Sequence, residues 1–92
     1  MAAKIKHANA IRTVARCYYC GAVGECTRDH FIPVSKGGTK TVPACSLCQM
    51  TKRDLMPLEF AAYMENHPAV KQKAARRIRA AVNYLLEKMS EQ

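Results

Sequence analysis

The sequence predicts a small α+β domain, stapled by a metal at its centre and flanked by helices. Three observations predict it. At 92 residues the chain makes one domain with a modest core, a size that benefits from a staple. Two Cys-x-x-Cys pairs, Cys17 with Cys20 and Cys45 with Cys48, bracket a stretch with strand and turn signals. Residues 55–92 hold no Cys and no Gly, and their apolar residues recur at helical spacing.

The elements follow in order. Residues 1–16 are basic and Ala-rich, and Ile5, Ala8, Ile11 or Arg12, and Ala15 fall at helical spacing, which predicts a short N-terminal helix. Residues 25–34 carry β-branched and aromatic side chains and read as a strand. Ser35, Lys36, Gly37 and Gly38 are a turn signal, after which residues 40–43 return as a second strand. A helix over residues 46–55 follows the second cysteine pair. Pro57 suits a first helical position, so a helix runs from residue 57 to 66. Pro68 stops it and admits another over residues 69–89. There Val70, Ala74, Ile78, Val82, Leu85 and Met89 are spaced by four, four, four, three and four, one face of a helix. The single domain thus divides into an arm (1–16), a stapled core (17–56) and C-terminal helices (57–92).

Composition narrows the function. Hydrophobic residues at 49% argue against a disordered tail, and 7% aromatics without Trp argue against a large aromatic ligand cage. Fifteen Lys and Arg against seven Asp and Glu give a net charge of +8. Such a balance prefers polyanions: DNA, RNA or an anionic membrane surface. No stretch approaches the roughly 20 apolar residues of a membrane span, and residues 1–16 lack the apolar core of a signal peptide. A reducing, cytoplasmic location is expected, where cysteines serve as metal ligands or free thiols.

The paired knuckles are the signature of a tetrahedral Zn²⁺ held by four thiolates. Two intervening residues let a tight turn bring both sulfurs to one ion while its main-chain amides donate to them. Four protein ligands leave no open position, so this zinc is structural. Redox Cys-x-x-Cys chemistry is the alternative, but no thioredoxin-like βαβ pattern surrounds either pair. Cys26, the fifth cysteine, reads as a small buried residue of the first strand. His7 and His67 read as ordinary surface residues.

Between the knuckles stands Asp29-His30-Phe31-Ile32-Pro33-Val34-Ser35-Lys36-Gly37-Gly38. Asp can hold a hard cation and His can take a proton from water near neutral pH. On a flat strand the two face opposite ways, so one site needs strand twist or a metal at the strand's edge. The motif continues as Val42-Pro43-Ala44-Cys45-x-x-Cys48, then Lys52-x-Asp54-x-x-Pro57-x-Glu59-Phe60. Over residues 17–60, about half of the chain, this resembles the HNH nuclease family of ββα-metal endonucleases. More specifically, it looks like the zinc-stapled small HNH proteins of phages and bacteria.

The resemblance implies a ββα-metal core and metal-dependent hydrolysis of DNA phosphodiester bonds. It assigns Asp29 to the catalytic divalent ion, Mg²⁺ or another such as Mn²⁺ or Ni²⁺, and His30 to the general base. The metal would neutralise the scissile phosphate and the leaving 3′ oxygen, giving a 5′ phosphate and a 3′ hydroxyl. Lys52 falls on the family's helix lysine and would meet a phosphate, as would the turn residue Lys36. Arg53 is a further expected DNA contact. Outside the resemblance, Lys73, Arg76 and Arg77 lie off the apolar stripe of the last helix; they form either a solvated basic face or one that tracks a phosphate backbone.

Two positions depart from the family's motif. Its middle Asn falls near Lys40 or Thr41, and its last residue, His or Asn after the second knuckle, falls on Gln49. Gln keeps a carbonyl that can ligate the ion, one methylene further out than Asn. The intact Asp29–His30 pair favours an endonuclease. The two departures favour a zinc-stapled DNA-binding protein without cleavage. A protein–protein adaptor using the stripe from Val70 to Met89 is a third reading.

Overall fold

The structure is a computed structural model and describes residues 12–91. The first element is a strand, β1 (Thr13–Arg16), followed by β2 (Val23–His30) and β3 (Thr41–Cys45). Three helices follow: α1 (Ser46–Lys52), α2 (Pro57–Glu65) and α3 (Gln72–Ser90). The strands form one antiparallel sheet in the order β1-β2-β3. This is the expected α+β class. None of the described helices is long and apolar enough to cross a membrane.

The helix expected over residues 1–16 is corrected where the structure describes it. Residues 13–16 are strand; the rest of that span, with His7, lies outside the described residues apart from Arg12, which belongs to no regular element. Helical spacing loses to pairing here, because the first knuckle reverses the chain. Thr13 meets Cys26 and Arg16 meets Val23 across it. β-branched Thr13 and Val14 suit the strand. The knuckle closes by Cys17 N–H donating to Ala22 O (2.8 Å) and Gly21 N–H to Cys17 O (3.0 Å). Gly21 sits at φ 83°, where a side chain would be strained and would also meet the Arg77 guanidinium.

β2 pairs β3 from Cys26 opposite Cys45 to His30 opposite Thr41. The strand expected over residues 25–34 therefore ends early, at His30. Phe31 N–H still donates to Lys40 O (2.9 Å), but Pro33 offers no N–H, and Val34–Lys36 forms a 3-10 turn. A Cβ on Gly38 would collide with the main chain of Ile32, so the turn closes only with glycine there. α1 is likewise shorter than the expected 46–55. It ends where Arg53 takes φ 45°, with its N–H bonded to Gln49 O (3.0 Å).

Pro57 opens α2, and the Glu59 carboxylate accepts the Met56 N–H (2.8 Å) that would otherwise lack a partner. His67 half-fills the turn between α2 and α3, its Nδ1 accepting the Ala69 N–H (3.1 Å). α3 buries Ala75, Ile78, Val82 and Leu85, while Val70, Ala74 and Met89 lie half-buried at the rim. The stripe covers the core, with Phe60, Ala61 and Met64 of α2 in the same cluster. Each fully buried aliphatic side chain contributes roughly 1.5–3 kcal/mol. A bidentate pair, Arg79 to Glu65 at 2.7 and 2.8 Å, links the two helices at the surface.

Tyr19 connects the layers. It is fully buried, edge-on to Phe60 (5.1 Å between centroids, 77°) and near-parallel to Phe31 (6.4 Å, 13°). Its neighbour Tyr18 donates from its hydroxyl to Ala81 O of α3 (2.7 Å).

Candidate metal centre and the end of the central strand

Each knuckle comes from a strand end. Cys17 and Cys20 lie in the turn between β1 and β2. Cys45 ends β3 and is the N-cap of α1, which places Cys48 in the first turn of that helix. The four sulfurs lie within 4.8 Å of one another, and Cys20 Sγ is 3.7 Å from Cys45 Sγ. Metal–sulfur bonds of about 2.3 Å in a tetrahedron give edges of about 3.8 Å, so the cluster fits a tetrahedral ion. Among the described residues it is the one convergence of three or more Cys, His, Asp or Glu ligand atoms. None of the five cysteines forms a disulfide.

The electrostatics of the cluster point the same way. Cys17 is drawn down, chiefly because the Cys48 thiol donates to it, and the Cys48 thiol is pushed up by that same bond. Burial pushes Cys20 up to about 11. Main-chain N–H groups of Cys45, Cys20 and Tyr19 also favour the Cys17 thiolate. Four sulfurs this close cannot all ionise beside one another; a cation removes the conflict by neutralising them.

Cys26 is buried on β2 as expected, its thiol donating to Ala15 O (3.5 Å) outside the four-sulfur cluster.

Beside the cluster runs a buried polar chain. The Tyr19 hydroxyl donates to Asp29 Oδ2 (2.7 Å), and burial together with that carboxylate pushes the phenol up. Lys52 Nζ lies 3.4 Å from the same oxygen and donates to His30 O (2.9 Å). Lys52 is 0% exposed and Asp29 7%. The expected phosphate contact at Lys52 is therefore corrected: its ammonium is inside the protein. A buried charge is tolerated only when paired and hydrogen-bonded, and Asp29 with the His30 carbonyl supplies both. Among the described residues no buried side-chain nitrogen or oxygen lacks a partner.

Asp29 and His30 separate as strand alternation requires. Thr27 and Asp29 lie opposite the buried Ala44 and Val42, on the face packed under α1. Arg28 and His30 lie opposite Pro43 and Thr41, on the other face, where Arg28 Nη2 donates to Thr41 Oγ1 (2.9 Å). His30 is half-buried at the end of β2, and no side-chain hydrogen bond engages its ring among the described residues. Gln49 reaches the Asp29 face: the Thr27 hydroxyl donates to its side-chain carbonyl. The structure thus brings Asp29 and Gln49 to one face and sets His30 across the strand.

The remaining basic residues are exposed. Lys36 stands in the 3-10 turn, and Arg53 folds back with Nε donating to Met50 O (3.0 Å). Lys73, Arg76 and Arg77 are on the outer face of α3. Sequence reasoning missed Tyr19 and Thr27. Tyr19 was legible only as an aromatic inside a knuckle, and Thr27 only as the same-face neighbour two residues before Asp29.

Comparison with known proteins returns no match: no family model, no curated protein and no solved structure matches the chain.

Proposed function

We propose that this protein is a metal-dependent DNA endonuclease of the HNH type, with a structural Zn²⁺ on Cys17, Cys20, Cys45 and Cys48. The observation that carries the reading is the strand–strand–helix unit pinned by the four-thiol cluster. In it Gln49 of α1 sits, through Thr27, on the same face of β2 as Asp29. That is the frame which the motif from Asp29 to Lys52 calls for.

Within this frame Asp29 and Gln49 offer oxygen donors of the hard type that Mg²⁺ or Mn²⁺ prefers. The Tyr19 and Lys52 contacts both fall on Asp29 Oδ2, which leaves Oδ1 for a cation. A bound divalent ion would supply charge neutralisation at a phosphate. His30, half-exposed at the strand end, would take a proton from the attacking water. Lys36, Arg53, Lys73, Arg76 and Arg77 would hold the DNA backbone, so affinity should fall steeply with salt.

A specific observation favours a second reading, a zinc-stapled DNA-binding protein without cleavage. The Asp29 charge is already balanced by Lys52, and His30 lies across the strand from it. Cleavage of supercoiled plasmid with Mg²⁺, Mn²⁺ or Ni²⁺ separates the two. The endonuclease reading expects nicking that His30→Ala lowers by roughly 10²–10⁴-fold while DNA affinity is kept. It also expects Gln49→Ala to lose activity and Gln49→Asn or Gln49→His to keep it. If wild type cuts with no ion, and Gln49→His with Lys40→Asn begins to cut, the binding reading replaces it. Equal cutting by His30→Ala would remove His30 as the base.

A further inference from the structure

Lys52 is the one lysine of the described chain with no exposed surface, and sequence reasoning sent it to the wrong place. It is the last residue of α1, one helical turn after Cys48, on the same buried face. Its ammonium has two jobs. It lies 3.4 Å from Asp29 Oδ2, and it donates to the main-chain carbonyl of His30 at 2.9 Å. His30 is the last residue of β2, followed by a proline-containing turn. The same Asp29 oxygen accepts from Tyr19, which lies between Cys17 and Cys20. Both knuckles therefore feed one buried charge pair, and that pair grips the peptide from which His30 projects.

We propose that Lys52 is a positioning residue: by holding the Asp29 carboxylate and the His30 carbonyl together, it makes the end of β2 rigid with the four-thiol centre. A lysine is suited to this. Three donors on one ammonium serve a carboxylate and a carbonyl at once, and the flexible stem reaches both from a helix end. A neutral residue of the same length would fill the volume but release the strand end. The effect on cleavage rests on the nuclease reading above; the effect on the main chain does not.

The test is Lys52→Met beside Tyr19→Phe, in the full zinc-loaded protein. Amide hydrogen exchange reads the main chain residue by residue. In Lys52→Met the amide of Phe31, which donates to Lys40 O, should exchange about tenfold faster or more, because a charge-assisted bond to the preceding carbonyl is gone. The amides of Tyr18 and Gly21 in the first knuckle should keep their wild-type rates, and zinc content should stay at one ion. Tyr19→Phe keeps the Lys52 bond to His30 and should leave the Phe31 rate near wild type. Where wild type cleaves DNA, Lys52→Met should lower kcat with KM for DNA unchanged.

If Lys52→Met leaves Asp29 too poorly paired to fold, the double variant Lys52→Met with Asp29→Asn removes the stranded charge and should show the same local exchange. Acceleration equal at the strand end and in the knuckle would mean a general stability role and overturn the proposal. So would an unchanged Phe31 rate in a folded Lys52→Met or in the double variant. A rise in KM for DNA at constant kcat would instead return Lys52 to the phosphate. If wild type cleaves nothing, the nuclease reading fails, and the exchange rates still decide the role of Lys52.

Discussion

In the first part of the described chain, residues 12–55, the largest fully buried side chains are Cys17, Tyr19, Cys26, Phe31, Cys48 and Lys52. In the second, residues 57–91, the largest are Pro57, Phe60, Ile78 and Val82. The helical part is held by an apolar stripe, the ordinary way an amphipathic helix is fixed to a core. The knuckle part has short strands, one short helix and polar groups inside. Strands of four, eight and five residues and a seven-residue helix bury too little apolar surface to hold themselves. What they have besides is a cluster of four cysteines that could hold a metal ion, and the Lys52–Asp29 pair buried beneath α1. The residues with candidate chemistry all lie in this part. The two parts are held by different means: α3 covers an apolar core, while around the four-cysteine cluster the buried polar groups Asp29 and Lys52 pair with each other.

The division can be broken most forcefully at the staple. Cys48→Ser, or exhaustive chelation, should unfold the sheet and α1, since structural zinc contributes on the order of 10 kcal/mol in small domains. Strand amides still protected after all metal is removed would show that the hairpin stands without it. Cys26→Ser, on the same strand but outside the cluster, should leave metal content unchanged. Acid should mimic chelation, because protons compete with the ion for the thiolates.

A middle-sized effect tests the other part. Ile78→Ala opens a cavity in the fully buried stripe and should cost about 2–5 kcal/mol in urea unfolding. Metal content should not change in the fraction that remains folded. A loss of zinc in step with the loss of stability would mean that the two parts are one cooperative unit.

Arg53→Gly acts at the end of α1. Arg53 holds φ 45° and ψ −119°, a conformation that suits glycine. The substitution should raise stability by about 1 kcal/mol through relief of that strain. A thermal midpoint that falls would show that the bond from Arg53 Nε to Met50 O matters more than the strain.

The smallest effect belongs to Glu65→Gln. The Arg79 guanidinium holds the Glu65 carboxyl below its ordinary range by hydrogen bonding to it. A lowered carboxylate contributes stability above its unfolded pKa and loses it as pH falls through the folded value. Glu65 is exposed, so the loss at neutral pH should be slight. Wild type and Glu65→Gln should converge in thermal midpoint as pH drops through the carboxylate range. A gap that widens on acidification would contradict the pairing.

The sequence by itself determined the α+β class, the turn at Gly37 and Gly38, the starts of α1 and α2, the stripe of α3 and the four convergent cysteines. Each rests on local information: a period, a proline, a glycine, a ligand spacing. Tertiary structure alone decided three things. Residues 13–16 became strand because the knuckle folds them back onto β2, and a partner outweighs a weak helical period. Asp29, and not His30, turned inward because Val42 and Ala44 fixed which side of β2 is inside. Lys52 turned inward because a carboxylate and an open carbonyl lay within reach of its ammonium. Sequence shows that a lysine is present, but only the packed fold shows whether water or a buried Asp29 is its partner.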